Sequence, residues 1–300
     1  MNNVLITGCS GFVGKNLLPY LENLNFKAFG ASLKVAPKPD LTYIDSIVHL
    51  AGKAHDLKNV AVSDEYYSIN FDLTKDIYDS FLKSKANKFI FISSVKASAD
   101  LVEGELKESD IPNPITHYGK SKLMAEEYIL NQPLPYGKSY YILRPCMIHG
   151  PGNKGNLNLL YKLISKGIPY PLAAFENKRS FLSIENLCFV IRELLELDDI
   201  PSGIYNVADD EALSTNELIK LIAKASDRKP KLWEINPVLI RTIAKLGDKL
   251  KLPLTTERLN KLTENYIVDN TKIKNALGKE FPVRASDGII KTITSFQNPN

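Results

Sequence analysis

Asn3-Val4-Leu5-Ile6-Thr7-Gly8-Cys9-Ser10-Gly11-Phe12-Val13-Gly14 opens with a β-rich apolar run, passes through a glycine-rich turn and enters an amphipathic pattern. Asn3–Thr7 reads as a strand. Val13, Leu17, Leu18, Leu21 and Leu24 share one helical face, with Pro19 as a blemish within it. A dinucleotide site needs this strand–turn–helix order. One glycine permits the tight turn, a second lets the backbone approach a pyrophosphate, and a third lets helix and strand come close. The phosphates then meet free amides at the positive helix N-terminus. The spacing is G-x-x-G-x-x-G rather than G-x-G-x-x-G, so the flanking strand and helix give the motif its weight. Gly8, Gly11, Phe12, Val13 and Gly14 are therefore assigned to cofactor binding.

Further strand patterns follow at Lys27–Ala31, Ser46–Leu50, Lys88–Ser93 and Ser139–Leu143, alternating with helical patterns that include a long one over Val60–Ser84. Such alternation is the mark of βαβ units and a parallel sheet. The second half is more broken. Ser180–Ile184 and Gly203–Val207 read as strands, Leu157–Lys166 and Glu185–Leu197 as helices, and Ser214-Thr215-Asn216-Glu217 as a capping box. The expected fold is α/β, a Rossmann-type doubly wound parallel sheet with a smaller mixed α/β C-terminal lobe. Residues 1–150 form the NAD(P)-binding domain and 151–300 the substrate lobe, with segments near 180–197 returning to the first domain.

The formal net charge of +4 over 300 residues is too diffuse to imply nucleic acid, and suits a doubly anionic small substrate. Cys9, Cys146 and Cys188 are far apart and odd in number, which argues against a disulfide framework or zinc site and fits a reducing cytoplasm. The strand-like start argues against a signal peptide, and no apolar run approaches the roughly 20 residues of a membrane span. Val238–Leu252 has apolar residues at helical spacing broken by Arg241, Lys245, Asp248, Lys249 and Lys251. It reads as an amphipathic helix on the protein's own core, with binding to a membrane surface as the alternative.

An acidic residue at the end of the second strand would hydrogen-bond a ribose 2′-hydroxyl and repel a 2′-phosphate. Here the chain reads Phe29-Gly30-Ala31-Ser32-Leu33-Lys34, with Ser32 to donate to a phosphate and Lys34 to neutralise it. The reading favours NADP over NAD.

Tyr118 and Lys122 are i,i+4 within the helical pattern Thr116–Tyr128 and face one side. A phenol titrates near 10 and is a poor base at neutral pH. A neighbouring ammonium and a positive nicotinamide ring are expected to lower that value. The pair follows the strand Lys88–Ser93 by one βα unit, and Ser94 at that strand's end is placed to hydrogen-bond a substrate oxygen and share the proton-transfer work. Tyr118, Lys122 and Ser94 are the catalytic candidates.

With these residues the chain resembles the extended short-chain dehydrogenase/reductases of the nucleotide-sugar epimerase/dehydratase family. The match runs in order along the chain. It comprises Thr7-Gly8-x-x-Gly11-x-x-Gly14, His49-Leu50-Ala51-Gly52, Asn70, Ser93-Ser94, Tyr118-x-x-x-Lys122, Leu143-Arg144-Pro145, Gly150-Pro151-Gly152, Val268-Asp269-x-x-Lys272 and Leu277-Gly278. The resemblance implies Tyr118 as acid/base, Lys122 as its activator and Ser94 as the third member. It adds Leu50, Ala51, Gly52, Ser93 and Pro145 to the cofactor site, and makes Arg179 the residue that holds a nucleotide-sugar pyrophosphate. A homodimer through the helices around Tyr66–Leu82 and Thr116–Tyr128 is also implied.

Departures narrow the chemistry. Retaining dehydratases of the family carry an Asp-Glu pair after the catalytic threonine, whereas Val95 and Lys96 follow Ser94 here. Lys96 alone matches the Asp-Lys of inverting dehydratases, so the resemblance does not extend to dehydration. Met147 stands where many 4-epimerases have asparagine and His149 where tyrosine is common; His55 and His117 read as structural. Leu33–Asp45 is short for the family, so a third strand and its helix are expected to be reduced or absent.

Within the family the nearest likeness is to bacterial reductases of UDP-4-keto-6-deoxy-N-acetylhexosamines. It rests on Leu50-Ala51-Gly52-Lys53-Ala54-His55, Gly155-Asn156-Leu157, and Pro169-Tyr170-Pro171-Leu172 leading to Asn177-Lys178-Arg179-Ser180. Lys96, Asn156 and Arg179 are the substrate-binding candidates. The competing reading is a UDP-sugar 4-epimerase with tightly held NAD, which uses the same residues. A cofactor-sensing regulator without activity is disfavoured by the complete set Tyr118, Lys122 and Ser94.

Overall fold

The computed structural model describes residues 2–32, 39–53, 63–153, 156–250 and 254–297. Lys34 and His55 lie outside them, as does the side chain of Asn156. The strands are β1 (Asn3–Thr7), β2 (Lys27–Ala31), β3 (Ser46–His49), β4 (Lys88–Ile92), β5 (Glu105–Leu106), β6 (Ser139–Pro145), β7 (Met147–His149), β8 (Phe181–Ser183), β9 (Gly203–Val207) and β10 (Ile267–Val268).

Six of them form one parallel sheet in the order β2-β1-β3-β4-β6-β9. The chain steps from β1 to β2 on one side and then crosses to β3 on the other. This reversal opens a crevice beyond the C-terminal ends of β1 and β3, the place where open α/β sheets bind ligands. Thr7, at the end of β1, stands between Ala31 of β2 and His49 of β3. Among the described residues β2 is the sheet edge, in keeping with the short segment that follows it.

The inner strands β1, β3, β4 and β6 are legible in sequence because both sheet faces are covered there, which makes them nearly continuous apolar runs. The short strands β5, β7 and β10 were not read. Val4 and Ile6 pack on one side with Leu17, Leu21, Leu187 and Ile191, from the helices Phe12–Glu22 and Ile184–Glu196. Leu5, Ile47, Phe89 and Phe91 point to the opposite side, against Ile77, Tyr78, Phe81 and Ile129. A separate core joins Ile164, Phe181, Leu218, Ile222, Ile240, Ala244, Ile289 and Ile293. Chain beyond residue 150 thus supplies both that core and strand β9 of the main sheet.

Two local features differ from a simple helical pattern. The long helical region breaks into Ser63–Tyr67, a π-helical turn at Ser68–Asp72, and Leu73–Lys83. Such π turns re-aim side chains, and this one carries the fully buried Asn70. Pro19 sits inside the helix Phe12–Glu22, which continues past it at the loss of one backbone donor.

Candidate active site

The glycine turn is built by backbone approach. Gly8 has φ of +70°, and a Cβ there would lie 2.7 Å from the Ala51 nitrogen and 2.9 Å from the Leu50 carbonyl carbon. A Cβ on Gly14 would lie 2.5 Å from Cys9 Cα. Neither position accepts a side chain, so the turn from β1 is pressed against the end of β3. The Gly11 N–H closes the turn on Gly8 O at 3.0 Å. Gly11 is also the N-cap of the helix Phe12–Glu22, and no side chain caps that end. Its leading amides, beside Phe12 and Val13, suit a dinucleotide's diphosphate. Ser32 follows β2 at the same edge and is exposed.

A hydrogen-bond chain fixes the segment after β3. Ala51 N–H donates to Thr7 Oγ1 at 3.2 Å, and Thr7 Oγ1 meets His49 Nδ1 at 2.7 Å. His49 Nε2 lies 3.0 Å from Thr74 Oγ1, whose hydroxyl donates to Asn70 O at 2.8 Å. With that proton committed, the imidazole donates from Nε2 and accepts at Nδ1. Burial, helped by the Lys122 charge, pushes the His49 pKa down to about 3, so the ring stays neutral.

The three catalytic candidates converge. Thr116 caps the helix His117–Asn131 by accepting from Gly119 N–H at 3.2 Å. A Cβ on Gly119 would lie 2.3 Å from Lys96 O, so only glycine lets this helix press onto the Val95–Ala97 turn after β4. That approach brings Tyr118 to Ser94, and their side chains hydrogen-bond. Tyr66 packs edge-on against Tyr118 with ring centroids 6.2 Å apart. One turn on, Lys122 is buried, donates to Ile92 O at 2.9 Å and lies 4.7 Å from the Phe91 ring centroid. A Cβ on Gly52 would come within 3.0 Å of Lys122 Nζ and 3.1 Å of Asn70 Oδ1. Asn70 accepts from Lys53 N–H at 2.7 Å and donates to Ser121 Oγ at 3.0 Å. The lysine and the second cofactor segment are thereby held together.

Burial sets the electrostatics of the pair. Burial raises the Tyr118 phenol above its ordinary value, outweighing the Ser94 hydrogen bond that lowers it. Burial also pushes Lys122 down to about 8 against the opposing pull of Glu126. The desolvation that weakens the ammonium's hold on its own proton also disfavours the phenolate. As it stands, the pair offers a protonated phenol.

Ser93 links the end of β4 to the core. Its hydroxyl turns into the core and hydrogen-bonds Glu126, and its N–H donates to Leu143 O at 2.8 Å. Glu126 also accepts from Arg144, through Nε at 3.1 Å to each oxygen and Nη2 at 2.6 Å. Both members of this pair are fully buried below the site. Glu126 went unread in the sequence, although a third polar residue at four-residue spacing after Tyr118 and Lys122 was a usable signal. Pro145 ends β6 next to this pair.

The substrate candidates Lys96 and Arg179 lie within electrostatic reach of each other. Lys96 Nζ donates to Asp100 O at 2.9 Å and sits 4.2 Å from the Tyr266 ring centroid. Burial lowers its pKa; Glu264 opposes this, while Arg179 and Lys261 lower it further. Arg179 is half-buried, pairs with Glu264 at 2.8 Å, and is held by backbone hydrogen bonds to Leu213. Of the remaining histidines, His149 is buried on Thr292 at 2.9 Å, and His117 meets the Tyr67 hydroxyl at 3.0 Å.

The arrangement suits redox chemistry at a carbinol or ketone carbon beside a dianionic ligand, and known proteins agree. A profile of the NAD dependent epimerase/dehydratase family matches residues 4–208. A UDP-glucose 4-epimerase of Vibrio cholerae is 30% identical, covering 99% of this chain and 96% of that protein. An N-acetyl-α-D-glucosaminyl-diphospho-ditrans,octacis-undecaprenol 4-epimerase of Escherichia coli O157:H7 is 28% identical, covering 97% and 94%. Among solved structures, MoeE5 in complex with UDP-glucuronic acid and NAD superposes with a TM-score of 0.76 over the full length of both chains at 19% identity, a likeness of fold. This chain is an enzyme of the NAD dependent epimerase/dehydratase family.

Proposed function

We propose that the enzyme reduces the C-4 ketone of a UDP-4-keto sugar, in the synthesis of surface polysaccharide precursors in the cytoplasm, with NADPH as the favoured cofactor. The observation that carries this reading is the absence of an acidic residue in Phe29-Gly30-Ala31-Ser32-Leu33-Lys34 at the end of β2, which favours an exchangeable NADPH, beside a Tyr118 phenol hydrogen-bonded to Ser94. Reduction starts with a proton donor, whereas oxidation of a sugar hydroxyl starts with a base. When bound, the nicotinamide supplies the hydride. Tyr118 then gives its proton to the C-4 oxygen, Ser94 orients that oxygen, and the Lys122 ammonium steadies the phenolate that remains. Arg179 and Lys96 hold the diphosphate and Asn156 adds a contact to the nucleotide sugar. Ser32 and Lys34 receive the 2′-phosphate of the cofactor. We assign residues 1–150 to the cofactor and 151–300 to the sugar nucleotide, and infer a homodimer through the helices around Tyr66–Leu82 and Thr116–Tyr128.

The test is to purify the enzyme, release and identify any bound cofactor, and follow NADPH consumption with a UDP-4-keto-6-deoxyhexosamine. Rapid consumption by enzyme that carries no stoichiometric cofactor is expected. A second reading, UDP-sugar 4-epimerase, draws support from the two 4-epimerase relatives. Stoichiometric NAD retained through purification, with no net NADPH oxidation, would establish it in place of the reductase.

A further inference from the structure

The amphipathic segment near residue 240 has more apolar surface than the core uses. In the helix Pro237–Leu250, Ile240, Ala244 and Gly247 are buried against the C-terminal lobe. At 3.6 residues per turn, Leu239, Ile243, Leu246 and Leu250 fall on a neighbouring strip about 60° wide. They are 54%, 40%, 50% and 66% exposed. Four large side chains in register on one helix differ from the scattered apolar exposure of an ordinary surface. Trp233, four residues before the helix, is 57% exposed as well.

Charge indicates what the strip meets. Arg241, Lys245 and Lys249 are exposed on the sector beyond it. The segment Arg228–Leu250 contains six cationic residues and two acidic ones, Glu234 and Asp248, a net charge equal to that of the whole chain. Asp248 is occupied, accepting from Thr256 N–H at 2.9 Å and Thr256 Oγ1 at 2.6 Å. A second copy laid on this strip would oppose its own basic flank. An apolar strip beside lysines, with a tryptophan close by, is the composition of helices lying at a bilayer interface.

We propose that the helix Pro237–Leu250 docks this enzyme reversibly on an anionic phospholipid bilayer, with Leu239, Ile243, Leu246 and Leu250 at the acyl boundary and Lys245 and Lys249 on the headgroup phosphates. Through the Asp248–Thr256 contact this helix abuts the helix Thr256–Thr263, and the next residue, Glu264, holds Arg179.

The full chain is sedimented with phosphatidylcholine vesicles with and without phosphatidylglycerol. Binding is expected only with phosphatidylglycerol and declines with added salt. Lys245→Gln with Lys249→Gln is expected to lower the partition coefficient roughly thirty-fold, at about a factor of five per lysine. Leu239→Asn with Leu246→Asn is expected to lower it about tenfold or more. All four positions are exposed, so circular dichroism and turnover of soluble substrate should stay at wild-type values. Absence of wild-type binding to the anionic vesicles overturns the proposal, as does binding that ignores both double variants. A solution mass halved by Leu239→Asn with Leu246→Asn, without vesicle binding, assigns the strip to a second copy instead.

Discussion

The two sides of the cleft are built on different principles. On the cofactor side, recognition surfaces are backbone: Gly8 and Gly14 leave no space for a side chain, and Thr7, His49 and Asn70 are neutral struts that fix the strand ends. On the side proposed for the substrate, Lys96 lies within electrostatic reach of Arg179, Glu264 and Lys261, all long charged side chains. A backbone cradle is set once the chain folds and responds little to salt. A side-chain cluster is adjustable, and its anion must compete with Glu264 for Arg179. Tyr118, Ser94 and Lys122 stand at the seam between the two.

The sharpest way to separate the sides is at that seam. Tyr118→Phe removes one hydroxyl, so binding of cofactor and nucleotide sugar, followed by fluorescence titration, should change little. Turnover should fall by about 10²–10⁴, the usual worth of a positioned acid/base group. Near wild-type turnover would mean that the tyrosine and lysine share a helix by accident.

Glu126→Ala probes the support beneath the cradle. It leaves the Arg144 charge fully buried without a counter-ion, and loss of one member of such a pair costs about 3–5 kcal/mol. Denaturant unfolding should show that loss; a stability change under about 1 kcal/mol would show that Arg144 is hydrated there.

On the charged side, Arg179→Ala should raise the nucleotide-sugar KM about ten- to a hundred-fold, since a charge-assisted bond is worth roughly 1.5–3 kcal/mol. Cofactor affinity should stay as it was. Equal losses on both ligands would undo the division between the two sides.

The smallest effect is in pH. The Lys122 pKa is depressed to about 8 in the folded protein, below the ordinary lysine value of about 10.4. Between those values the unfolded chain binds the extra proton, so this group's contribution to stability should grow as pH rises from about 8 to about 10.4. The rate, which uses the ammonium, should decline over the same rise. Lys122→Arg, where it folds and turns over, should lose that decline because guanidinium stays charged. A flat wild-type profile through pH 9 would place the lysine outside the chemistry.

Much of the cofactor side was legible as sequence because its determinants are local. A strand, its glycine turn and its helix occupy Asn3–Glu22, and Tyr118 and Lys122 share one helix at fixed spacing. Burial on both sheet faces wrote the inner strands as apolar runs that pattern reading recovers. The burial that raises the Tyr118 phenol was not legible, because desolvation depends on what covers a side chain and leaves no trace in spacing. The direction of the Ser93 hydroxyl was not legible, because a serine after a strand reads the same whichever way its hydroxyl turns. Its inward turn follows from Glu126, contributed by a helix 33 residues away.

The local chain by itself determined the glycine cradle, the parallel α/β order and the helical register of the acid/base pair, since each follows from backbone geometry over a few consecutive residues. Only the tertiary structure decided that Arg179 meets Glu264, that Arg144 lies buried on Glu126, and that Leu239, Ile243, Leu246 and Leu250 of Pro237–Leu250 stay exposed among the described residues. Those outcomes depend on distances between residues far apart in the chain, and on how much apolar surface the neighbouring elements have left to bury.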